Sequence, residues 1–222
     1  MKTMSAQPGP EWLDANRFDE VITDQRRLRE IVKPPSRYVA HKVIDHIDGL
    51  CRRFIAAAPF AVIGSTGTSA TVDLSPKGDA PGFVKVLDPH TLAIPDRLGN
   101  NRADTLCNLL EDDRLGLIFL VPGKRETLRV GGRAAIVRDA RLSRRLAHNG
   151  REPNLAIVVR VSRAYFHCAK CMIRAGLWEP DSWPDASALP SLAETMVRHG
   201  KLPDPVEEVQ EIVRRDAENR LY

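Results

Sequence analysis

Residues 18–59 carry apolar side chains at the spacing of helices. A first run begins at Phe18 and ends at Pro34 and Pro35, because proline cannot continue a helix. A second run begins after Ser36 and ends at Pro59. Its apolar stripe consists of Val43, Ile47, Leu50, Cys51 and Phe54. The pattern predicts two helices in this part of the chain.

From residue 60 onward the pattern changes to short runs that are typical of strands. The predicted strands are residues 60–64, 69–75, 83–88, 91–95, 115–121, 127–137 and 155–166. The run 115–121 is apolar throughout, which indicates burial on both faces. Helices are predicted at 104–112, 140–149 and 206–221, a turn-rich link at 75–82, and an irregular link from 179 to the last helix.

About seven strands joined mostly by short turns, with helices before and after them, indicate a closed or nearly closed antiparallel barrel. The predicted class is therefore α+β with a mainly β core. We expect a helical extension packing on the barrel at residues 1–58, the barrel domain at 59–178, and an irregular link with a helix at 179–222.

Composition narrows the possible functions. Hydrophobic residues make up 43% and charged residues 28% of the 222 residues, which fits a globular protein with a substantial core. The net charge is only +4 and aromatic residues are 5%, so neither the basic block nor the stacking platform of a nucleic-acid binder is evident. No apolar run approaches the roughly 20 residues of a membrane span, and no signal peptide begins the chain, so a cytoplasmic protein is expected.

The stretch DRLGNNRAD, residues 96–104, lies directly before a predicted helix. Backbone N–H groups at a helix start lack intrahelical partners and attract anions, and Arg97 and Arg102 could assist in binding a phosphate. Asn100 and Asn101 suit a tight turn. The other interpretation is a solvated turn with ordinary helix capping. Similarly, Lys85 either lies at the barrel rim or meets an anion.

The order of these elements resembles the flavin-binding core of the pyridoxamine 5′-phosphate oxidase family. The resembling run covers residues 82–134, from GFVKVLD through TLAIPDRLGNNRAD to TLRVGGRA. In that family a lysine three residues before an acidic turn, a strand, a loop with basic residues, a short helix and a buried strand follow one another in this order. The resemblance implies a split β-barrel that binds FMN at the interface of a homodimer.

The resemblance also implies a set of cofactor-binding residues and no metal ligands. Lys85 matches a strand lysine near the flavin and the substrate. Ile94 and Pro95 match the strand end that passes the isoalloxazine ring. Asn101 and Arg102 match the pair that holds the phosphate, with Arg97 close enough to assist. The remaining two are Thr127, in place of a polar residue that contacts the flavin, and Trp178, expected near the cofactor.

Departures from the family pattern concern the substrate. Ala80 stands where the oxidase has an arginine, and residues 140–154 offer no tyrosine for a substrate phosphate. After the last strand only Arg174 and Trp178 correspond to the oxidase motif. The implied activity is hydride transfer from a small substrate to flavin N5. The alternatives are a flavin-binding or sensing protein without turnover, and a barrel that holds haem or a deazaflavin.

Two further motifs have ordinary explanations. Cys168 and Cys171 have the spacing of half a zinc site, but no second pair follows, so they either pack at a strand-to-helix junction or act as thiols or substrate contacts. The stretch SPKGD, residues 75–79, lacks the full P-loop pattern, and Lys77 and Asp79 are interpreted as loop residues. The four cysteines are too few for a disulfide scaffold.

Overall fold

A computed structural model of the chain describes residues 10–69 and 71–222. The chain divides into two compact units, with the boundary between Lys42 and Val43. Ala70, expected in the second strand, and residues 1–9 of the expected N-terminal extension lie outside the described residues. The domain boundaries expected after residues 58 and 178 stay predictions.

The described part of the first unit holds a 3-10 helix, Ala15–Arg17, and the helices α1, Gln25–Ile31, and α2, Arg37–Ala40. Helix α1 begins where the side chain of Asp24 accepts a hydrogen bond from the Arg27 N–H at 2.8 Å. It is therefore much shorter than the helix that the sequence predicted from Phe18 onward.

The second unit contains six helices and seven strands among its described residues. The helices are α3, Gly49–Ala57; α4, Asp104–Glu111; α5, Ala140–Arg145; α6, Lys170–Arg174; α7, Leu192–Gly200; and α8, Val206–Asn219, with a 3-10 helix at Pro180–Ser182. The strands are β1, Phe60–Thr66; β2, Val72–Gly78; β3, Lys85–Asp88; β4, Thr91–Pro95; β5, Arg114–Leu120; β6, Thr127–Val137; and β7, Ala156–His167. Throughout the described ranges, every helix is too short or too polar to cross a bilayer.

The seven strands form one antiparallel sheet in the order β2-β1-β5-β6-β7-β4-β3. The edge strands β2 and β3 are joined by residues 79–84, a link that reaches at most about 25 Å. A flat sheet of seven strands would be about 29 Å wide, so the sheet must curl until its edges approach each other. The edges do not pair, and the result is a barrel open along one seam. This confirms the predicted α+β split-barrel class.

The barrel interior is filled by large apolar side chains. The fully buried ones include Ile63, Leu92, Phe119, Leu128 and Val159. Helix α3 adds Cys51, Phe54 and Ile55 to this core, and the ring of Phe54 meets that of Phe166 edge-on at 5.3 Å. Each such side chain contributes roughly 1.5–3 kcal/mol by leaving water.

The prediction of one continuous helix after Ser36 is wrong. Asp48 starts a separate helix, α3, because its carboxylate accepts a hydrogen bond from the Cys51 N–H at 2.8 Å. Between α2 and α3 the backbone of Ile44 pairs instead with Ala164 of β7, with N···O distances of 3.0 and 2.7 Å. Tertiary pairing therefore replaces a helical turn that the apolar spacing alone favoured.

Two other elements differ from the prediction. Strand β2 continues to Gly78, into the stretch predicted as a turn-rich link, because an edge strand tolerates the missing N–H of Pro76. Helix α7 lies within the predicted irregular link. Its first turn is capped by Ser191, whose hydroxyl accepts from the Glu194 N–H at 3.1 Å. The Ser-x-x-Glu spacing of Ser191 and Glu194 is typical of a helix start and could have predicted α7.

Candidate functional site

A cavity of about 480 Å³ lies at the open seam of the barrel. Its wall is formed by residues 73–77 of β2, by residues 96–106, and by Asn154 and Leu155. The volume falls within the range of small-molecule sites. The stretch that the sequence singled out, residues 96–104, thus forms part of a cavity wall and is not a free surface turn.

The backbone before α4 is held in an uncommon conformation. Asn101 and Ala103 both have left-handed φ angles, of 59° and 57°. Asparagine tolerates this region, whereas alanine is uncommon there. No side chain caps the start of α4, and the first residues of the helix, Asp104 and Thr105, line the cavity. The N–H groups of this first turn therefore have no side-chain acceptor among the described residues.

Arg102 lines the same cavity and is largely exposed. Its Nε donates to the Asp104 carboxylate at 2.8 Å, and 72% of its side-chain surface is open to solvent. An exposed ion pair of this kind is weak, because water and salt screen it. An incoming anion can therefore compete with Asp104 for the guanidinium.

Arg97 is held much more firmly. Its Nε donates to the Asp79 carboxylate at 2.7 Å and its Nη2 donates to the Leu146 carbonyl at 2.8 Å, and only 16% of the side chain is exposed. Nη1 has no acceptor among the residues that the structure describes. Arg97 also belongs to the cavity wall, and Nη1 is its guanidinium nitrogen without an acceptor among these described residues.

Asp79, Arg97, His148 and Tyr222 form what we call the Asp79 cluster. The carboxylate of Asp79 is 1% exposed and accepts from the Ala80 N–H at 2.6 Å and the Tyr222 hydroxyl at 2.9 Å, besides Arg97. His148 Nδ1 lies 3.7 Å from it. Burial acts to raise the pKa of this carboxyl, but the hydrogen-bond donors outweigh burial and hold the pKa below its ordinary value. The bond to Asp79 raises the pKa of Tyr222.

Asp96 is a half-buried carboxyl in the cavity wall. Its side chain makes no hydrogen bond within the described residues. Burial raises its pKa above the ordinary value, and the positive charge of Lys77 opposes this only in part. The cavity therefore contains one carboxyl that is poorly compensated when ionised.

The other predicted residues on this side of the barrel lie near the cavity but outside its wall. Lys85 is exposed on β3, and its Nζ donates to the Gly82 carbonyl at 2.8 Å. Ile94 and Pro95 are buried at the end of β4, directly before Asp96.

The remaining two predicted residues lie at the opposite end of the sheet. Thr127 is 3% exposed and pairs with His167, whereas Pro95 pairs with Ala156 at the other end of β7. Eleven residue steps separate these two positions along β7, about 36 Å of strand. Trp178 lies on the Thr127 side, because its Nε1 donates to the carbonyl of Lys124, three residues before Thr127, at 2.7 Å. The predicted residues are therefore distributed over both ends of β7.

Sequence analysis did not predict a role for three side chains in or beside the cavity, Asp79, Asp96 and Tyr222. Asp79 and Tyr222 are 143 residues apart, and no local pattern connects them. Asp96 was part of the quoted loop but carried no assigned role. Cys168 and Cys171, in contrast, are exposed free thiols, and within residues 10–69 and 71–222 no group of three or more metal-binding side chains occurs.

Comparison with known proteins identifies the family of the barrel. Residues 47–168, more than half of the chain, match the family model for pyridoxamine 5′-phosphate oxidase. A search of the curated proteins gives no match.

Similar solved structures have low sequence identity. HupZ from Group A Streptococcus is 13% identical over 54% of this chain and 93% of that chain, with a TM-score of 0.45. An FMN-binding protein of Syntrophomonas wolfei is 15% identical over 64% and 93%, with a TM-score of 0.43. General Stress Protein 26 of Bacillus anthracis is 12% identical over 51% and 88%, with a TM-score of 0.41.

Proposed function

The chain belongs to the pyridoxamine 5′-phosphate oxidase family, and from that premise we propose that it is an FMN-dependent oxidoreductase acting on a small-molecule substrate. The main support for the proposal is the cavity at the open seam of the barrel. Arg97, Asn101 and Arg102 line its wall together with the first residues of α4, whose N–H groups have no side-chain acceptor among the described residues. Bound FMN would supply hydride acceptance at N5 and onward transfer of the electrons to oxygen or another acceptor.

The donors of the cavity suit the FMN phosphate. A phosphate dianion requires charge-assisted donors, and the Arg102 guanidinium, Nη1 of Arg97 and the first N–H groups of α4 are of this kind. Arg102 is restrained only by its exposed pair with Asp104, so it can turn to the ligand. Asn101 holds the turn in the left-handed conformation that precedes the helix.

The isoalloxazine ring requires an apolar surface next to the phosphate site. In the proposal, the backbone at the end of β4, at Ile94 and Pro95, passes the ring, and it leads directly into the cavity wall at Asp96. Lys85 lies on the neighbouring strand, and its amine is bonded only to a neutral carbonyl. It can therefore turn to a carbonyl of the flavin or to an anionic substrate.

The proposal includes a homodimer with the flavin at the subunit interface. The residues that pair with the end of β4 and with the start of β6, Ala156 and His167, are at opposite ends of β7, about 36 Å apart along the strand. In the proposal, a second copy supplies Thr127 and Trp178 to the flavin that Arg102 holds. A cytoplasmic location belongs to the same proposal.

The phosphate assignment predicts a ligand-specific defect in Arg102→Ala. We expect the dissociation constant for FMN to rise about tenfold or more, since a charge-assisted hydrogen bond is lost. The constant for riboflavin, which has no phosphate, should change less than about twofold. Both constants can be measured by quenching of flavin fluorescence on titration with protein.

Arg114→Ala is the matched control. Arg114 is 76% exposed and, like Arg102, pairs with an aspartate two residues away, but it lies outside the wall of the seam cavity. It should leave both dissociation constants unchanged. Equal weakening of FMN and riboflavin by Arg102→Ala would contradict the phosphate assignment.

A second candidate function is a flavin-binding or sensing protein without turnover. Ala80, in place of the oxidase arginine, favours it because no cation is supplied there for a substrate phosphate. Stopped-flow reduction of the FMN complex with candidate hydride donors separates the two functions. The absorption spectrum of the purified protein tests the cofactor itself, since haem would give a Soret band in place of the flavin bands.

A further inference from the structure

The Asp79 cluster connects the two sides of the barrel seam. Asp79 directly follows β2, the strand at one edge, and Arg97 follows β4, which neighbours the strand at the other edge. Their ion pair, with an Nε···Oδ2 distance of 2.7 Å, therefore crosses the seam beside the cavity. Within the described part of the chain no ladder of backbone hydrogen bonds joins β2 to β3, and the pair of Asp79 and Arg97 is a side-chain contact that spans this gap.

The pair also fixes the orientation of the Arg97 guanidinium. The group is planar, and Asp79 and the Leu146 carbonyl engage two of its three nitrogens. Once Nε and Nη2 are fixed, the position of Nη1 is fixed as well. A lysine would carry the same charge but has no rigid fork that can bond both acceptors and still present a donor.

Tyr222 completes this arrangement from a distant part of the sequence. Its hydroxyl donates to Asp79, and its ring stacks on His148 with centroids 4.8 Å apart and planes at 29°. The Arg97 Cζ atom lies 5.8 Å from the centroid of the same ring. Arg151 donates to the main-chain oxygen of Tyr222 and holds this residue in place. The ring thus covers one side of the ion pair and its hydroxyl occupies the second oxygen of Asp79.

We infer that Tyr222 is a positioning residue for the FMN phosphate site: through Asp79 it holds Arg97 across the seam so that Nη1 is presented to the cavity. The inference rests on the proposed function. Asp79 and Tyr222 do not touch the ligand; they keep Arg97 in the geometry that binds it. Preorganisation of this kind lowers the ordering cost of binding.

The test compares FMN with riboflavin in Tyr222→Phe. This variant keeps the ring, its stacking on His148 and its contact with Arg97, and removes only the hydrogen bond to Asp79. We expect the FMN dissociation constant to rise about threefold to tenfold, the scale of one hydrogen bond, while that for riboflavin stays within about twofold. Circular dichroism verifies that the variant is folded.

Tyr38→Phe is the matched control, because the Tyr38 hydroxyl also has a charged partner, the Arg37 guanidinium at 2.9 Å, but lies outside the cavity wall. It should change neither constant. Arg97→Lys should weaken FMN selectively as well, since it keeps the charge and loses the fork.

A double-variant cycle separates positioning from a general structural role. If Tyr222 acts through Arg97, then Tyr222→Phe should have no further effect on FMN binding in an Arg97→Lys background. Additive effects, or equal loss of FMN and riboflavin affinity in Tyr222→Phe, would overturn the inference.

If Tyr222→Phe has no effect while Arg102→Ala still loses its preference for FMN, the positioning role fails and the proposed function stands. If Arg102→Ala also keeps its preference, the proposed phosphate site fails.

Discussion

At the scale of single residues, Asp79 and Asp96 show how the hydrogen-bond partners of a partly buried carboxyl set the direction of its pKa shift. Asp79 is almost fully enclosed, yet its pKa lies below the ordinary value because three donors stabilise the ionised form. Asp96 is also partly buried, but its pKa is raised because no hydrogen bond within the described residues offsets the burial. The same residue type therefore stabilises the fold in one place and costs stability in the other.

Asp96→Asn should raise the melting temperature at pH 7, by about 1–2 °C, because it removes a poorly compensated charge. In the wild-type protein the folded-state pKa of Asp96 lies above the unfolded value. The penalty is therefore absent at pH values where both states are protonated, develops as pH rises from the unfolded value to the folded-state pKa, and is complete above it. The difference between variant and wild type should follow this course in thermal melts from pH 3 to 7.

Asp79→Asn provides the opposite case for comparison. Its pKa is lowered, so its stabilisation is present above the unfolded value and is lost as pH falls through the folded one. That variant should be destabilised at pH 7 and approach the wild type in acid. A pH-independent effect of Asp96→Asn would contradict the role assigned to its charge.

Asp96→Asn should also bind FMN more tightly, because a negative charge beside the phosphate is removed.

At the scale of elements, the pairing of the long strands β6 and β7 contains one irregularity, a shift of register. The register shifts between Gly131 and Gly132, and the Ser162 hydroxyl donates to the Gly131 carbonyl at 3.2 Å. A Cβ atom on Gly132 would lie 2.1 Å from the carbonyl oxygen of Arg160, which is backbone and cannot move aside. The glycine therefore permits the close approach that bends these strands around the barrel.

Gly132→Ala should lower the free energy of unfolding by about 3 kcal/mol, because the two strands must separate locally to accept the methyl group. Gly116→Ala is the control within the same sheet, since nothing lies within 4 Å of a Cβ atom there. It should change the stability by less than about 1 kcal/mol. Urea unfolding of both variants measures the difference, and similar values would refute the close approach.

At the scale of the whole molecule, the open seam and the length of β7 determine how a complete site can form. Arg97 and Arg102 follow the end of β4 that pairs with the start of β7, and Thr127 pairs with the other end of β7. In the proposed homodimer, each copy contributes one of these two ends to each flavin site.

Subunit mixing tests this arrangement. Arg102→Ala and Trp178→Ala should each bind FMN poorly as separate preparations. After unfolding and refolding together, random pairing makes half of the dimers mixed, and each mixed dimer holds one intact site, so about a quarter of all sites should recover. Isothermal titration with FMN counts them. Recovery of none would mean that each site is built within one chain or that no dimer forms.

The local pattern of the sequence was sufficient for most of the sheet. Strand β6 occupies the predicted residues 127–137, and β4 occupies 91–95, because alternation and apolar runs report burial on one or both faces of a strand. The pattern was insufficient where a distant partner replaced a local preference, as at Ile44, which left its helical stripe to pair with Ala164. Residue type was compatible with the left-handed φ at Asn101, since asparagine suits a tight turn, but it gave no indication of the one at Ala103.

The sequence by itself determined most of the strands and the basic loop before α4, because each depends on residues close together in the chain, and the number of strands indicated a barrel. Only the tertiary structure decided that Arg97 is fixed by Asp79 while Arg102 has an exposed pair with Asp104, and that Thr127 pairs with the far end of β7. Those relations depend on how the curled sheet brings its edges together. Sheet closure joins residues as far apart as Asp79 and Tyr222, and no local spacing encodes such a contact.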